Sequence, residues 1–132
     1  MARSGDSRQE LGQVGERLAA SALRRARLRV IATRFRTRHG EIDLIAEDGD
    51  LLVFVEVKTR RGRGYGWPAE AVTARKRRRM ARVAAAFLQR RGARNRPCRF
   101  DVVEVEWIAG EEPDVEHIVD AFRLSPSDGD FC

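Results

Sequence analysis

The order of helix-like and strand-like segments is the feature that most narrows the folds open to this chain. Apolar residues recur at helical spacing from about Ser7 to Ala26, and again after Thr73, a predicted N-cap, to about Arg91,. Five other segments are rich in β-branched residues and are predicted strands: 28–35, 41–47, 51–59, 99–108 and 115–122,. The resulting order, αβββαββ, predicts an α/β fold with a mixed five-stranded sheet packed with helices.

The length predicts one domain over residues 1–132, with polar ends at 1–7 and 123–132 that we expect to be flexible tails,. No apolar run approaches the ~20 residues of a membrane helix, and the first residues lack the apolar core of a signal peptide. The two cysteines, Cys98 and Cys132, fit no zinc motif and argue against a disulfide scaffold,. A cytoplasmic protein that does not bind membranes is therefore expected.

Charge is divided unevenly along the chain. Residues 1–100 carry 25 Lys and Arg against 10 Asp and Glu, whereas residues 101–132 carry one Arg and 10 Asp and Glu. So basic a region favours a polyanionic partner such as DNA or RNA, although general solubility is an alternative explanation.

A hairpin between the second and third strands carries the candidate chemical site. Glu56 and Lys58 lie two apart in a strand, so they share a face. A turn centred on Asp48-Gly49 would place Asp43 opposite Phe54, with Glu56 on the diagonal of the same face. A register change of one residue would move Asp43 to the other face.

These residues suit a divalent metal site for phosphodiester hydrolysis. Asp43 and Glu56 offer the oxygen ligands that Mg²⁺ or Mn²⁺ prefers, and the backbone carbonyl of Val57 can add a third. Lys58 would orient the attacking water or stabilise charge in the transition state. Glu16, on the first helix among small neighbours, is predicted to be a further ligand or a water-positioning base.

Each of these residues also has an ordinary structural explanation. Glu56 and Lys58 can form a pair on an exposed sheet face, Asp43 can cap a turn, and Glu16 can be a solvated helix residue. Their convergence favours the site, because carboxylates so close together are unfavourable without a cation.

Two motifs carry a family resemblance: Gly-Glu-Ile-Asp-Leu-Ile at 40–45 and Phe-Val-Glu-Val-Lys-Thr-Arg at 54–60. They resemble the bacterial YraN-type family, which is related to archaeal Holliday-junction resolvases and other PD-(D/E)XK nucleases. The similarity runs from about Gly12 to Phe122. It includes Gly15-Glu16, Tyr65-Gly66, Lys76 and the segment 99–103.

The resemblance implies a restriction-endonuclease-like, PD-(D/E)XK core. It also implies a metal site of Asp43 and Glu56, with Lys58 catalytic and Glu16 assisting. Ile42 stands where the proline of the superfamily motif would be.

Two basic segments are candidates for nucleic-acid binding. In the loop after the third strand, glycines allow close approach to phosphate and aromatic rings can stack on unpaired bases, although Trp67 can instead pack on the core. On the second helix, three cations lie along one side, either tracking phosphates or forming a plain solvated face. The candidate residues are Arg60, Arg61, Arg63, Tyr65 and Trp67 in the loop, and Lys76, Arg79 and Arg82 on the helix.

Three functions follow from these patterns. The first is a metal-dependent endonuclease acting on branched or flapped DNA, in which a homodimer would cut both strands of a junction. The second is a non-catalytic DNA- or RNA-binding protein, with DNA favoured as the partner, and the third is a protein-interaction adaptor. Asp101 is predicted either to pair with an arginine or to hydrogen-bond near the site.

Overall fold

The computed structural model describes residues 4–61, 72–93 and 95–124, with side chains from residue 12 onward. It contains the predicted order of elements. These are α1 (Ser4–Arg25), β1 (Arg29–Thr37), β2 (Gly40–Asp48), β3 (Leu51–Arg61), α2 (Ala74–Arg90), β4 (Cys98–Trp107) and β5 (Asp114–Phe122). Helix α1 begins earlier than predicted. Residues 1–3 and 125–132 of the two expected tails lie outside the described part.

The five strands form one mixed sheet in the order β1-β2-β3-β4-β5. Strands β3 and β4 are parallel, and the other neighbouring pairs are antiparallel. A parallel pair requires a long crossover, and α2 lies in that connection. The prediction of a mixed α/β sheet is confirmed.

The two helices cover opposite faces of the sheet, here called the α1 face and the α2 face. The central strands supply apolar side chains to both faces, as expected for strands covered on two sides. The α2 face is packed with Met80, Val83 and Phe87 against Phe54 and Phe100. The α1 face is packed with Ala19 and Leu23 against Val53, Val55 and Val103.

Helix α2 begins and ends where the sequence predicts. The hydroxyl of Thr73 accepts a hydrogen bond from the backbone N–H of Lys76 at 3.2 Å, which satisfies one of the free amides of the first turn,. After the helix, Gly92 adopts a φ of 63°, the left-handed conformation typical of a helix end,.

The register predicted for the β2–β3 hairpin is wrong. Ile45, not Asp43, lies opposite Phe54, and the turn is Gly49-Asp50 between paired Asp48 and Leu51. Gly49 is the first turn residue and has a φ of 58°, the backbone region that a two-residue hairpin turn requires there,. Continued past the last pair, this register places Asp43 directly opposite Glu56.

Neither helix of the described residues is long and apolar enough to cross a membrane. Cys98 takes part in a disulfide bond, although the sequence argued against a disulfide scaffold.

Candidate metal centre

Strand β2 loses its regular alternation at Asp43. Ile42 and Ile45 both pack on the α2 face, whereas Leu44 packs on the α1 face. Side chains of a regular strand alternate, so residues 42 and 44 should share a face. The irregularity therefore lies at Asp43.

The pairing of β2 with β3 ends at the same place. The last pair is Leu44 with Val55. Beyond it, the backbone N–H of Val57 donates to Oδ2 of Asp43 at 2.8 Å. The carboxylate of Asp43 thus occupies a place in the plane of the sheet that a backbone carbonyl would otherwise take.

Three carboxylates gather at this break. Oxygen atoms of Glu16, Glu41 and Asp43 all lie within 4.8 Å of one another, and all three residues are half-buried. Glu41 directly precedes Ile42, which packs on the α2 face, so it is directed to the α1 face and toward Glu16. The structure thus brings predicted Glu16 and Asp43 together and adds Glu41.

Gly15 lets α1 lie close enough to the sheet to supply Glu16. A Cβ atom at position 15 would lie 2.6 Å from Oγ1 of Thr59 in β3, closer than real Cβ contacts come. Any side chain at this position would push against β3 and move Glu16 with the helix.

Arg34 places a positive charge beside the three carboxylates. It lies opposite Asp43, because the flanking β1–β2 pairs are Thr33 with Leu44 and Phe35 with Ile42. Its φ is 50°, and its Nε donates to Oε2 of Glu16 at 2.9 Å. This hydrogen bond and the charge of Glu16 raise the pKa of Arg34 above its ordinary value.

Burial and neighbouring charge perturb the carboxyl group of Asp43. Burial raises its pKa most, and the charge of Glu56 raises it further. The N–H of Val57 acts in the opposite direction, yet the pKa reaches about 7. Desolvation disfavours the ionised form, so this carboxylate gains most from a bound cation.

Glu56 and Lys58 occupy the other side of the break. Oε1 of Glu56 lies 2.5 Å from Nζ of Lys76 on α2, so its carboxylate is directed to the α2 face. Lys58 follows on that face by alternation and is half-buried, with no ion pair among the residues the structure describes.

The predicted sharing of one face by Asp43 and Glu56 is therefore wrong. The cause is the irregularity at Asp43, which places this carboxylate in the sheet plane instead of on the α2 face. The two groups remain neighbours, since the charge of Glu56 raises the pKa of Asp43.

Among the predicted nucleic-acid-binding residues, those of the loop are only partly described. Arg60 forms an ion pair with Glu104 on β4 at 2.9 Å, and Arg61 is exposed. The other loop candidates lie outside the described residues: Arg63, Tyr65 and Trp67.

The helix candidates differ in their surroundings. Lys76 is engaged by Glu56, whereas Arg79 and Arg82 are exposed on α2. The binding roles of both groups stay predictions.

Asp101 has a structural environment away from the carboxylate cluster. It is fully buried and accepts hydrogen bonds from Arg99, from the backbone N–H of Asp120 and, at 2.7 Å, from the ring of His117. Burial alone would raise its pKa, but these bonds from His117, Arg99 and Asp120 together lower it. The predicted pairing with an arginine is confirmed.

Glu41 and Arg34 are the site residues that the sequence prediction missed. Glu41 stands two residues before Asp43, a spacing that in a strand indicates a shared face. Arg34 carried no comparable signal, because its contact with Glu16 depends on the left-handed backbone at that position.

Comparisons with known proteins agree with the motifs. The family model described as "Uncharacterised protein family UPF0102" matches residues 15–105. A UPF0102 protein of Symbiobacterium thermophilum is 62% identical over 96 residues, covering 73% of this chain and 81% of the relative. A UPF0102 protein of Geobacter sulfurreducens is 49% identical over 115 residues (87% of this chain, 90% of the relative), and one of Nocardia farcinica is 48% identical over 122 (92% and 95%).

Proposed function

This chain belongs to the uncharacterised protein family UPF0102, the YraN-type family that its motifs resemble. We propose that it is a divalent-metal-dependent endonuclease that hydrolyses phosphodiester bonds in branched or flapped DNA in the cytoplasm. The proposal includes a PD-(D/E)XK core, with the aspartate on β2 and Glu-x-Lys on β3.

The observation that carries this proposal is the three-carboxylate cluster at the strand break. Its donors are all oxygen atoms within 4.8 Å of one another, a set that suits a hard cation such as Mg²⁺ or Mn²⁺,. Half-buried carboxylates at this separation repel one another. Glu16 is paired with Arg34 at 2.9 Å and Glu41 with Arg36 at 2.7 Å, whereas Asp43 has no ion pair among the described residues.

The residues present fit such an ion. Asp43, Glu16 and Glu41 would hold it from the sheet and from α1. The backbone N–H and C=O of one strand residue point the same way, so the carbonyl of Val57 is directed to the same gap as its N–H. Glu56 would become a further ligand once its carboxylate separated from Lys76, its ion-pair partner.

The chain's own groups then have defined tasks in hydrolysis. A bound divalent cation would offset the charge of the phosphate and make a water molecule more acidic. Glu16 would hold the attacking water and take its proton. Lys58, with its ammonium unpaired among the described residues, would donate hydrogen bonds to the phosphate oxygens as negative charge develops,.

Cleavage of junction, flap and single-stranded DNA in Mn²⁺ tests the proposal. The wild-type protein should cut a structured substrate, and Asp43→Asn and Lys58→Met should each reduce the rate at least ~100-fold. The matched control is Asp48→Asn, which removes an exposed carboxylate from the same hairpin. Cutting that persists in both site variants would contradict the proposal.

A second candidate function is nucleic-acid binding without catalysis. The ion pair of Glu56 with Lys76 favours it, because this pair neutralises a predicted metal ligand without any ion. Salt-dependent DNA binding with no cleavage on any substrate, in Mg²⁺ or Mn²⁺, would support this function over the first.

A further inference from the structure

The turn between β1 and β2 and the helix α2 border an open cleft of about 470 Å³. Its lining is rich in cations and includes Arg38, His39 and Arg79. Arg79 lies against the backbone of the turn: a Cβ atom at position 40 would be 2.9 Å from its Cδ. The absence of a side chain at Gly40 is therefore what admits the aliphatic part of Arg79.

The cleft has an excess of positive charge. Its acidic residue, Glu41, is paired with Arg36 at 2.7 Å, so these two charges offset each other. Arg38 and Arg79 have no carboxylate partner in the part of the chain that the structure describes. Nε of Arg38 donates to Nε2 of His39 at 3.5 Å, so the terminal nitrogens of Arg38 and the guanidinium of Arg79 are available for an anion. Guanidinium binds phosphate with paired hydrogen bonds.

Glu41 connects this cleft to the carboxylate cluster, because it belongs to both. The turn is also held in place, since the backbone N–H of His39 donates to the hydroxyl of Thr37 at 3.0 Å. A nucleic-acid strand with one phosphate at Asp43 would bring a neighbouring phosphate to the cleft.

We propose that this cleft binds a backbone phosphate of the nucleic acid, next to the phosphate held at the carboxylate cluster. The inference rests on the proposed function and assigns a partner to the β1–β2 turn. Arg38 and Arg79 donate to the phosphate oxygens, and His39 borders them. The contact is independent of base sequence.

Binding of a fluorescent DNA duplex in EDTA, followed over a range of salt concentrations, tests this contact without cleavage. The plot of log affinity against log salt has a slope of about −0.9 per phosphate neutralised. Arg38→Gln with Arg79→Gln should make this slope less steep by about 0.9, the value for the one phosphate proposed, and weaken binding at least ~10-fold at low salt.

The matched control removes the same charge elsewhere. Arg24→Gln with Arg25→Gln acts at the end of α1, ~12–14 Å along the helix axis from Glu16. This pair should leave the slope unchanged. Equal losses in the two double variants would overturn the proposal, because they would reflect net charge alone.

The two histidines of the chain localise the contact in the wild-type protein. His39 lines the cleft. His117 does not line it, and Nε2 of its ring lies 2.7 Å from Oδ2 of Asp101. On addition of duplex, the NMR signals of the His39 ring should shift and those of His117 should stay. Unchanged His39 signals, or equal shifts with polyglutamate of the same charge, would overturn the proposal.

These readouts separate the cleft from the chemistry. DNA cleavage with unchanged His39 signals would contradict phosphate binding in the cleft and leave the nuclease proposal intact. If the His39 signals shift with duplex but no substrate is cut, phosphate binding in the cleft would be supported and the nuclease proposal contradicted.

Discussion

At the scale of single residues, half-buried Asp43 and buried Asp101 have pKa values shifted in opposite directions. Asp101 is surrounded by donors, and its pKa is lowered. Asp43 has one backbone donor and three carboxylate neighbours, and its pKa is raised to about 7. The donors around Asp101 favour its anionic form, whereas a bound cation would favour the anionic form of Asp43.

At the proposed metal site, Asp43 should make the affinity for a divalent cation depend on pH. A metal ligand must lose its proton, so binding should release one proton below pH 7 and tighten about tenfold per pH unit from pH 5 to pH 7. Above pH 7 the affinity should level off. Calorimetry with Mn²⁺ in buffers of different ionisation enthalpy measures the proton directly, and a flat profile would contradict the assignment.

Without metal, the same group should destabilise the fold as the pH rises. Its folded-state pKa exceeds the unfolded value of 3.8, so the folded state binds more protons between pH 4 and pH 7 and stability falls across that range,. Asp43→Asn should therefore raise the free energy of unfolding at pH 8 by up to about 3–4 kcal/mol in EDTA, and by little at pH 4.

Asp101 should show the opposite sign. Its folded-state pKa is lowered, so its contribution to stability is fully present above the unfolded value of 3.8 and is lost as pH falls through the folded value,. Asp101→Asn should cost about 2–4 kcal/mol at pH 7, because three donors lose a charged acceptor. Chemical denaturation at several pH values should show this difference shrinking in acid.

At the scale of elements, the periodicity of apolar residues was enough to predict the type and order of the helices and strands. Helical and strand spacing indicated both helices and all five strands, and Thr73 and Gly92 marked the ends of α2. The hairpin register was missed because Asp48-Gly49 and Gly49-Asp50 both resemble tight turns. The break at Asp43 was missed because the regular alternation assumed for β2 does not extend through it.

The close contact between α1 and β3 predicts that the proposed metal site needs a glycine beside Glu16. Gly15→Ala should place a methyl group against Thr59 and shift α1, which we expect to lower Mn²⁺ affinity at least ~10-fold and cost about 1–3 kcal/mol of stability. Thr59→Ala in the same chain should restore much of both, since it removes the nearest atom.

The matched control for this helix is Gly12→Ala. Apart from the backbone of its own helix, no atom of the described residues lies within 4 Å of a Cβ at position 12. This change should therefore leave metal affinity unaltered and raise helix stability by up to about 1 kcal/mol. An equal loss of Mn²⁺ affinity in the two alanine variants, measured by calorimetry, would show that helix packing at Gly15 does not position Glu16.

At the scale of the whole molecule, the strand order places the basic and the acidic parts of the sequence at opposite edges of the sheet. β1, with its turn and its arginines, is one edge of the sheet, and β5 is the other. The acidic segment forms β4, β5 and the turn between them, so negative charge collects at the edge remote from the carboxylate cluster. We therefore expect nucleic acid, the proposed partner, to be attracted to the β1 edge and repelled from the β5 edge.

This separation predicts how remote acidic residues act on DNA binding. Glu111→Gln with Glu112→Gln removes two exposed charges from the β4–β5 turn. At ~0.01 M salt, where screening extends over about 30 Å, the association rate should rise a few-fold. At ~0.15 M salt, where screening acts within about 8 Å, the rate should be unchanged. Stopped-flow fluorescence should find the same dissociation rate in both proteins, because a remote charge steers the encounter without contacting bound DNA. A changed dissociation rate would instead place the β4–β5 turn in the interface.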